Sequence, residues 1–477
     1  MLASAAPSLS DILSGIEPQE IELGTLDLAN SGIRCDGLYI YENKDNDPGF
    51  MSFDKLTRSL YEVIAKYYPV LAGRPTVSSK GKAVIVVSPD SLCLPDVKEI
   101  QIDHPAESFF AYSTETKADS GEGKRVRFFD LQKFYRTDGV ERLPYATYHR
   151  DHALVIVRVL RFKGSRYTAL SYSLLHGMFD GIATIAFVNH WAEHARNMDN
   201  ADYRLASLPI HDRSVIHSCF DGVESVELPF IKHFKDFSGT EKFDSPENIA
   251  PVLLATPDVP QVAEQHLLHI TPGNLKLLRK EAGDTHTSAM ALIAVLARSM
   301  VHANAKVFGT ESKTTYVAVA YDSRQRSGVP LNFAGNASLI CIAPIPTERV
   351  VEGSYNDLAQ FINDNSIKTD TAYSKASIDT IENELGLLYH ASFLLCNSPQ
   401  STYIGFSNVR YLPFKTIDFG YGSPEILSFD YFSKEGMCRM YPNFQDGGID
   451  LFINYDDACF DHFCKTDIIA KYIDAVY

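Results

Sequence analysis

The sequence predicts a mixed α/β protein of two domains, and three observations carry that reading. The chain has 477 residues, more than one ordinary core holds, and suits two domains of about 200–250 residues each. Apolar residues make up 45% and charged residues 22% of it, the balance of a packed globular protein. Stripes at helical spacing alternate with short apolar runs of strand character through both halves, without a short internal repeat.

Taken in order, Phe53 to Tyr67 places Leu56, Leu60, Val63, Ile64 and Tyr67 on one stripe and predicts a helix. Pro69 stops it, and Ala72-Gly73-Arg74-Pro75 turns the chain. The polar stretch from about Pro105 to Pro144 reads as loops around short strands, with Lys124, Arg125 and Arg127 expected on a solvated face. Leu154 to Phe162 reads as a strand, Gly164 as a turn, and the run to His176 as a second strand. A helix is expected from Ile182 to Arg196. From Leu208 to Pro246 the pattern loses its period and gathers prolines and glycines. That stretch gives the expected boundaries: a first domain at 1–207, a crossover connection at 208–246 and a second domain at 247–477. Thr271-Pro272-Gly273-Asn274 predicts a helix start with proline in the first turn. Thr287-Ser288 precedes another helix, with Ala289, Leu292, Ile293, Leu296 and Met300 on one face, and Tyr316 to Ala320 is a buried strand.

Composition also narrows the function classes. A formal charge of −16 argues against general nucleic-acid binding, where a basic face supplies most of the affinity. It leaves room for a small polyanion held by a local basic cluster. No run approaches the roughly 18 uninterrupted apolar residues of a membrane helix, and the N-terminus lacks the pattern of a secretory signal, so no membrane association is expected. Eight cysteines without regular spacing predict reduced thiols and a cytosolic setting. His190 and His194 stand four apart on the expected helix without a third metal ligand, and no zinc-binding pattern accompanies them. Cys459, His462 and Cys464 read as packing residues, and the absence of a GxSxG elbow argues against a serine hydrolase.

The chemistry-bearing feature is His176-Gly177-Met178-Phe179-Asp180-Gly181, set directly after the apolar run Thr168 to Leu175. A strand end holds an imidazole rigidly, an aspartate four residues on braces the turn, and Gly181 is expected to supply backbone freedom. A second motif, Asp418-Phe419-Gly420-Tyr421-Gly422, lies far along the chain.

These two motifs, in this order, resemble the HxxxD and DFGWG signatures of the BAHD family of coenzyme A-dependent acyltransferases, with Tyr421 in place of tryptophan. Tyr68-Pro69-Val70-Leu71-Ala72-Gly73-Arg74 is similar to the family's YPxAGR segment. Asp322-Ser323-Arg324 with Gly335-Asn336-Ala337 is similar to its DxR and GNA block. Ser407-Asn408-Val409-Arg410 resembles a segment lining the family's active site, with Val409 replacing a common tryptophan. The resemblance runs from about residue 20 to residue 455.

The resemblance implies two similar chloramphenicol-acetyltransferase-like α/β domains, with mixed sheets flanked by helices and an active-site channel between them. It implies transfer of an acyl group from acyl-coenzyme A, as co-substrate, to a hydroxyl or amine of a small, secondary-metabolite acceptor. No permanently bound cofactor or metal is implied, and a monomer is expected. His176 would be the general base. Asp180, Gly181 and Arg324 would support the motif, Asp180 pairing with Arg324 rather than with the imidazole. Ser407, Asn408 and Val409 are candidates for the oxyanion site and substrate channel, and Asp418, Phe419, Gly420, Tyr421 and Gly422 for a structural turn. Two other readings stay open: a condensation-type enzyme using a carrier-bound acyl group, where a second histidine usually stands at the position of Leu175, and a non-catalytic acyltransferase-like binding module.

Overall fold

The computed structural model describes residues 8–30, 34–113, 125–137, 153–228, 265–309, 312–383, 402–429 and 436–476. Two mixed sheets organise the chain. The first has five strands in the order Ile426–Ser428, Arg34–Glu42, Tyr167–Leu175, Val155–Phe162 and Asp96–Ile102. The second has seven, in the order Ser338–Pro346, Thr314–Asp322, Thr402–Asn408, Met437–Pro442, Ile449–Asn454, Gln265–Ile270 and Ala475–Val476.

The central strand of the first sheet, Tyr167–Leu175, is buried at every position, which is why its sequence lacks the alternation of a half-solvated strand. Its neighbour Arg34–Glu42 runs antiparallel, with Gly37 opposite Tyr172. A side chain at Gly37 would collide with the Tyr172 ring at about 2.5 Å, so the missing Cβ lets that ring lie across the strand. The Tyr172 hydroxyl then meets the Tyr39 hydroxyl at 2.7 Å.

The helix Phe53–Tyr67 forms as its pattern predicts. Ser52 caps it, and Leu56, Leu60, Val63 and Ile64 are buried along one stripe. Its partner is the helix Gly181–Asn197. Trp191, the one tryptophan of the chain, joins the two by donating its indole N–H to the Leu56 carbonyl at 3.1 Å and the Ser59 hydroxyl at 3.0 Å. In the second half, Ser288–Phe308 is buried on nearly every face from Ala289 to Ala303, not on one stripe as the sequence suggests. Helices pack around it as well as the sheet, so its apolar length reflects a central core position.

Two features of the organisation go beyond the expected boundaries. The second domain does not keep all its strands: Ile426–Ser428 pairs antiparallel with Arg34–Glu42 in the first sheet. Leu412, Phe414, Ile417, Phe419 and Phe429 belong to the first core. Residues from about 409 to 429 therefore cross to the other domain, and no local pattern marks a donated edge strand. Within the crossover connection, 208–228 is ordered against both halves: Ile210 bridges Phe333, His211 Nε2 meets the Tyr67 carbonyl at 2.7 Å, and Ser214–Ser218 is helical. Residues 229–246 lie outside the described residues.

Of the basic cluster, Lys124 lies outside the described residues, and Arg127 is not a solvated cation. Its guanidinium packs over the Phe110 and Tyr167 rings and donates to the Tyr167 hydroxyl at 2.6 Å. Nearby, His269 is sealed in the second sheet. Its Nδ1 bonds Asp450 at 2.7 Å and its Nε2 bonds Asp446 at 3.0 Å. Burial alone would keep this imidazole neutral, but the two carboxylates outweigh it and push its pKa up to about 9. A folded-state pKa above the unfolded value contributes stability that is full below about pH 6.5 and lost as pH rises through 9. His269→Ala is therefore expected to cost about 3 kcal/mol at pH 6.5, because the buried Asp450 and the half-buried Asp446 lose their partner. Denaturant unfolding at pH 6.5 and pH 10 checks this, with a smaller loss expected at the higher pH.

Candidate active site

His176 follows the buried strand Tyr167–Leu175 directly. That strand end is pinned by Arg34, which donates to the Ser173 hydroxyl at 2.6 Å and to the carbonyls of Ser173 and Leu154 at 3.0 and 3.2 Å. A buried guanidinium surrounded by carbonyls has its donors satisfied and fixes three strands together. The chain then turns, with the Met178 N–H donating to the Leu175 carbonyl at 2.9 Å. Met178 and Phe179 are fully buried. Between 176 and 180, His176 alone keeps a partly exposed face.

Asp180 turns away from the imidazole. It caps the helix Gly181–Asn197 by accepting from the Ala183 N–H at 2.9 Å. Arg324 grips both of its oxygens, at 2.7 and 3.2 Å, and the Ala337 N–H adds a bond of 2.8 Å. Burial would raise this carboxyl, but the Arg324 guanidinium and the backbone N–H groups hold it below the ordinary carboxylate range. Arg324 also donates to Asp322 and to the carbonyls of Phe333 and Gly335. The geometry of Asp180 and Arg324 is thus that of a structural brace across the two halves.

Gly181 does not serve the purpose expected of it. It is the first residue of the helix, outside the positive-φ glycines. A Cβ there would meet only Leu412, at an ordinary 3.8 Å. The aspartate cap sets this helix start, and the glycine is not needed for its backbone angles.

The His176 ring is held by a residue whose motif the sequence marks but whose role it does not. Nδ1 lies 3.1 Å from the Asn336 Oδ1. The Asn336 amide nitrogen donates to the His176 carbonyl and to Asp27, both at 2.8 Å. Both nitrogen partners are acceptors, so the amide oxygen must face the ring, and Nδ1 carries the hydrogen. Nε2 is left as the nitrogen with a free lone pair in the neutral ring.

Cys35 is a second residue the sequence leaves unmarked. It is buried on the neighbouring strand, with Sγ 3.8 Å from the Phe179 carbonyl, close enough to His176 to act on its charge. Burial alone disfavours a charged His176, but the Cys35 sulfur, followed by Asp180 and the His176 carbonyl, pushes its pKa up to about 9.

The second motif is a turn braced by its own aspartate. Asp418 Oδ1 accepts from the N–H groups of Gly420, Tyr421 and Gly422 at 2.7, 2.9 and 2.8 Å. Gly420 and Gly422 have φ of +104° and +86°, where a side chain would be strained. Phe419 packs edge-on to Trp191 at 4.8 Å, which ties the turn to the helix carrying Asp180 as its cap. The Tyr421 hydroxyl reaches the Gly49 carbonyl at 2.8 Å while its ring packs against Phe50.

Ser407 and Asn408 end the strand Thr402–Asn408, and Val409 follows with its N–H on the Met440 carbonyl. Among the described residues neither Ser407 nor Asn408 bonds to His176. The Asn408 oxygen is taken by Arg410, whose Nε lies 3.0 Å away, so its amide nitrogen is the donor left to offer. Val409 packs at the edge of the first core. The histidine pair on the helix is occupied structurally: His190 Nδ1 meets the Tyr68 hydroxyl at 2.7 Å and His194 Nε2 meets Glu62 at 2.8 Å.

Comparison with known proteins places this geometry in context. The Transferase family model matches residues 124–466. A fatty alcohol:caffeoyl-CoA acyltransferase of Arabidopsis thaliana is 28% identical over 204 residues, spanning 42% of this chain and 41% of that protein. The hydroxycinnamoyl-CoA:5-hydroxyanthranilate N-hydroxycinnamoyltransferase HHT1 of Avena sativa is 23% identical over 463 residues, covering 92% of this chain and 93% of that one. Among solved structures, F. sporotrichioides TRI101 complexed with coenzyme A and T-2 superposes with a TM-score of 0.66 at 15% identity, covering 95% of this chain and 98% of its own.

Proposed function

This chain belongs to the Transferase family, the BAHD acyltransferases, and we propose that it moves an acyl group from a coenzyme A thioester to the hydroxyl or amine of a small acceptor. One observation carries the reading: an imidazole at a rigid strand end, on a residue that keeps a partly exposed face, with Nδ1 on the Asn336 oxygen so that the lone pair of the neutral ring lies on Nε2. The relatives' names pair a coenzyme A thioester with a fatty alcohol in one case and 5-hydroxyanthranilate, acylated on nitrogen, in the other, which supports an acceptor that reacts through oxygen or nitrogen.

In the proposed reaction the acceptor's O–H or N–H gives its proton to His176 Nε2 as its heteroatom attacks the thioester carbonyl. The carbonyl π electrons move to oxygen, and the resulting oxyanion needs donors already in place. Ser407 and the Asn408 amide nitrogen are the donors proposed for it. Collapse of the intermediate breaks the carbon–sulfur bond, and the imidazolium returns the proton to the departing thiolate. The thioester brings its own activation, so no further cofactor enters the sequence. Mass-spectrometric detection of acylated product, across acetyl-, malonyl- and hydroxycinnamoyl-coenzyme A crossed with alcohols and amines, tests the reading. Product that forms equally well without enzyme for every pair refutes it.

The position of Cys35 adds a pH dependence. Base catalysis needs the neutral imidazole, and the folded-state pKa of His176 is about 9, so kcat/KM is expected to rise with pH through that region. Cys35→Ala removes the neighbour that most raises it and should move the rise to lower pH, giving a higher rate near pH 7.5. Profiles of kcat/KM from pH 6 to 10 for both proteins check this, and superimposable profiles would show that the thiol does not act on the base.

A further inference from the structure

Behind Asn336 lies a buried ion pair formed by two segments that carry none of the recognised motifs. Asp27 belongs to the short helix Thr25–Ala29, and Arg213 to the crossover connection. Asp27 is 2% exposed, Asn336 1% and Arg213 8%. Arg213 Nε donates to Asp27 Oδ2 at 3.1 Å. Its other nitrogens donate to the carbonyls of Met178, inside the His176 turn, and Ala334, two residues before Asn336, each at 2.9 Å. Asp27 Oδ2 also accepts from the Gly24 N–H at 2.9 Å. Its Oδ1 accepts twice from Asn336, from the side-chain nitrogen at 2.8 Å and the backbone N–H at 3.3 Å.

An asparagine amide facing a histidine satisfies it in either of two orientations. With the oxygen toward the ring, the facing nitrogen must be N–H. With the nitrogen toward the ring, the facing nitrogen must be the bare lone pair. A carboxylate only accepts, so Asp27 admits one orientation: its amide partner must present nitrogen. The cost of leaving a buried carboxylate opposite a carbonyl oxygen blocks the flip.

We propose that Asp27 is a positioning residue for the proposed acyl transfer: held by Arg213, it fixes the Asn336 amide so that His176 carries its hydrogen on Nδ1 and presents the bare Nε2 to the acceptor. The idea rests on His176 being the base, but the tautomer itself is a property of the resting protein and is measured without turnover. Arg213 connects the same pair to the backbone of both motifs, so one ion pair fixes the ring's tautomer and the distance between its two supports.

The test is nitrogen-15 NMR of histidine-labelled full-length protein above pH 9, with the His176 ring signals identified by their loss in His176→Gln. The wild type is expected to show a protonated Nδ1 and a bare Nε2. In Asp27→Asn the carboxylate's demand for the amide nitrogen is gone and only the His176 carbonyl still favours that orientation, so a detectable share of the second His176 tautomer should appear. The kcat should fall about tenfold or more, with KM little changed. Asn336→Ala should lose the single tautomer as well. If Asp27→Asn fails to fold because Arg213 is unpaired, the double variant Asp27→Asn with Arg213→Gln removes the unpaired cation as well and is read the same way. A His176 that remains wholly Nδ1-protonated in the Asp27 variant that folds overturns the proposal, whatever its activity. A normal tautomer shift in a protein that transfers no acyl group overturns the proposed reaction and leaves the positioning intact.

Discussion

Replacing His176 by alanine is expected to lower acyl transfer by about 10²–10⁴-fold, the usual contribution of a positioned general base. Folding should be nearly untouched. His176 keeps a partly exposed face and its ring bonds the neutral Asn336 oxygen, so its removal leaves no buried charge unpaired. Asn336 retains its two donor bonds to Asp27 and the His176 carbonyl. The residual rate reflects proximity of the two substrates and the preorganised oxyanion donors, neither of which needs the imidazole. Steady-state rates at saturating substrates, with circular dichroism melting alongside, separate the two effects. A variant that keeps full turnover excludes His176 as the base.

Breaking the Asp180–Arg324 brace should have the opposite signature, a loss of stability first and of rate through it. Both side chains are fully buried. Asp180→Ala leaves the Arg324 guanidinium with only part of its acceptors, and Arg324→Ala leaves Asp180 and Asp322 without their cation. Each is expected to cost about 3–5 kcal/mol, the range for removing one partner of a buried pair. Asp180→Ala also removes a helix cap worth about 1 kcal/mol. The double variant should be markedly less destabilised than the sum, because the second substitution removes a charge already orphaned by the first. Asp180 titrates below the ordinary carboxylate range, so the brace contributes fully above about pH 4 and is lost as pH falls through its depressed value. Denaturant unfolding of the four proteins at neutral pH measures this, and unchanged midpoints for both single variants would sink the brace.

The legible part of this protein is the part encoded in short contiguous stretches. Strand, turn and helix around His176 follow from an apolar run, an aspartate and a helical stripe, and they stand within a residue or so of where periodicity puts them. Asp180 and Arg324 were legible through their motifs, although the pairing joins residues 144 apart. What stayed hidden depends on long-range pairing between ordinary residue types. Cys35 reaches His176 only because two antiparallel strands place it there, and an isolated cysteine in an apolar strand carries no signal. Asp27 meets Asn336 across 309 positions and Arg213 across 186. Asn336 was visible within its GNA block, but its neighbours give no hint that its oxygen faces an imidazole. The crossing of Ile426–Ser428 into the first sheet is hidden for the same reason, since three strand residues fit either edge equally well. Gly181 errs in the other direction: a glycine next to an aspartate looks like a turn former, yet it begins an ordinary helix.

The most direct test of the account is release of free coenzyme A thiol by the wild-type protein and His176→Ala, each with and without an acceptor that the product screen identifies. Release that requires the acceptor and falls by about 10²–10⁴-fold in the variant is the predicted result. Thiol release by wild type that is independent of any acceptor, or equal in the two proteins, would contradict acyl transfer through His176.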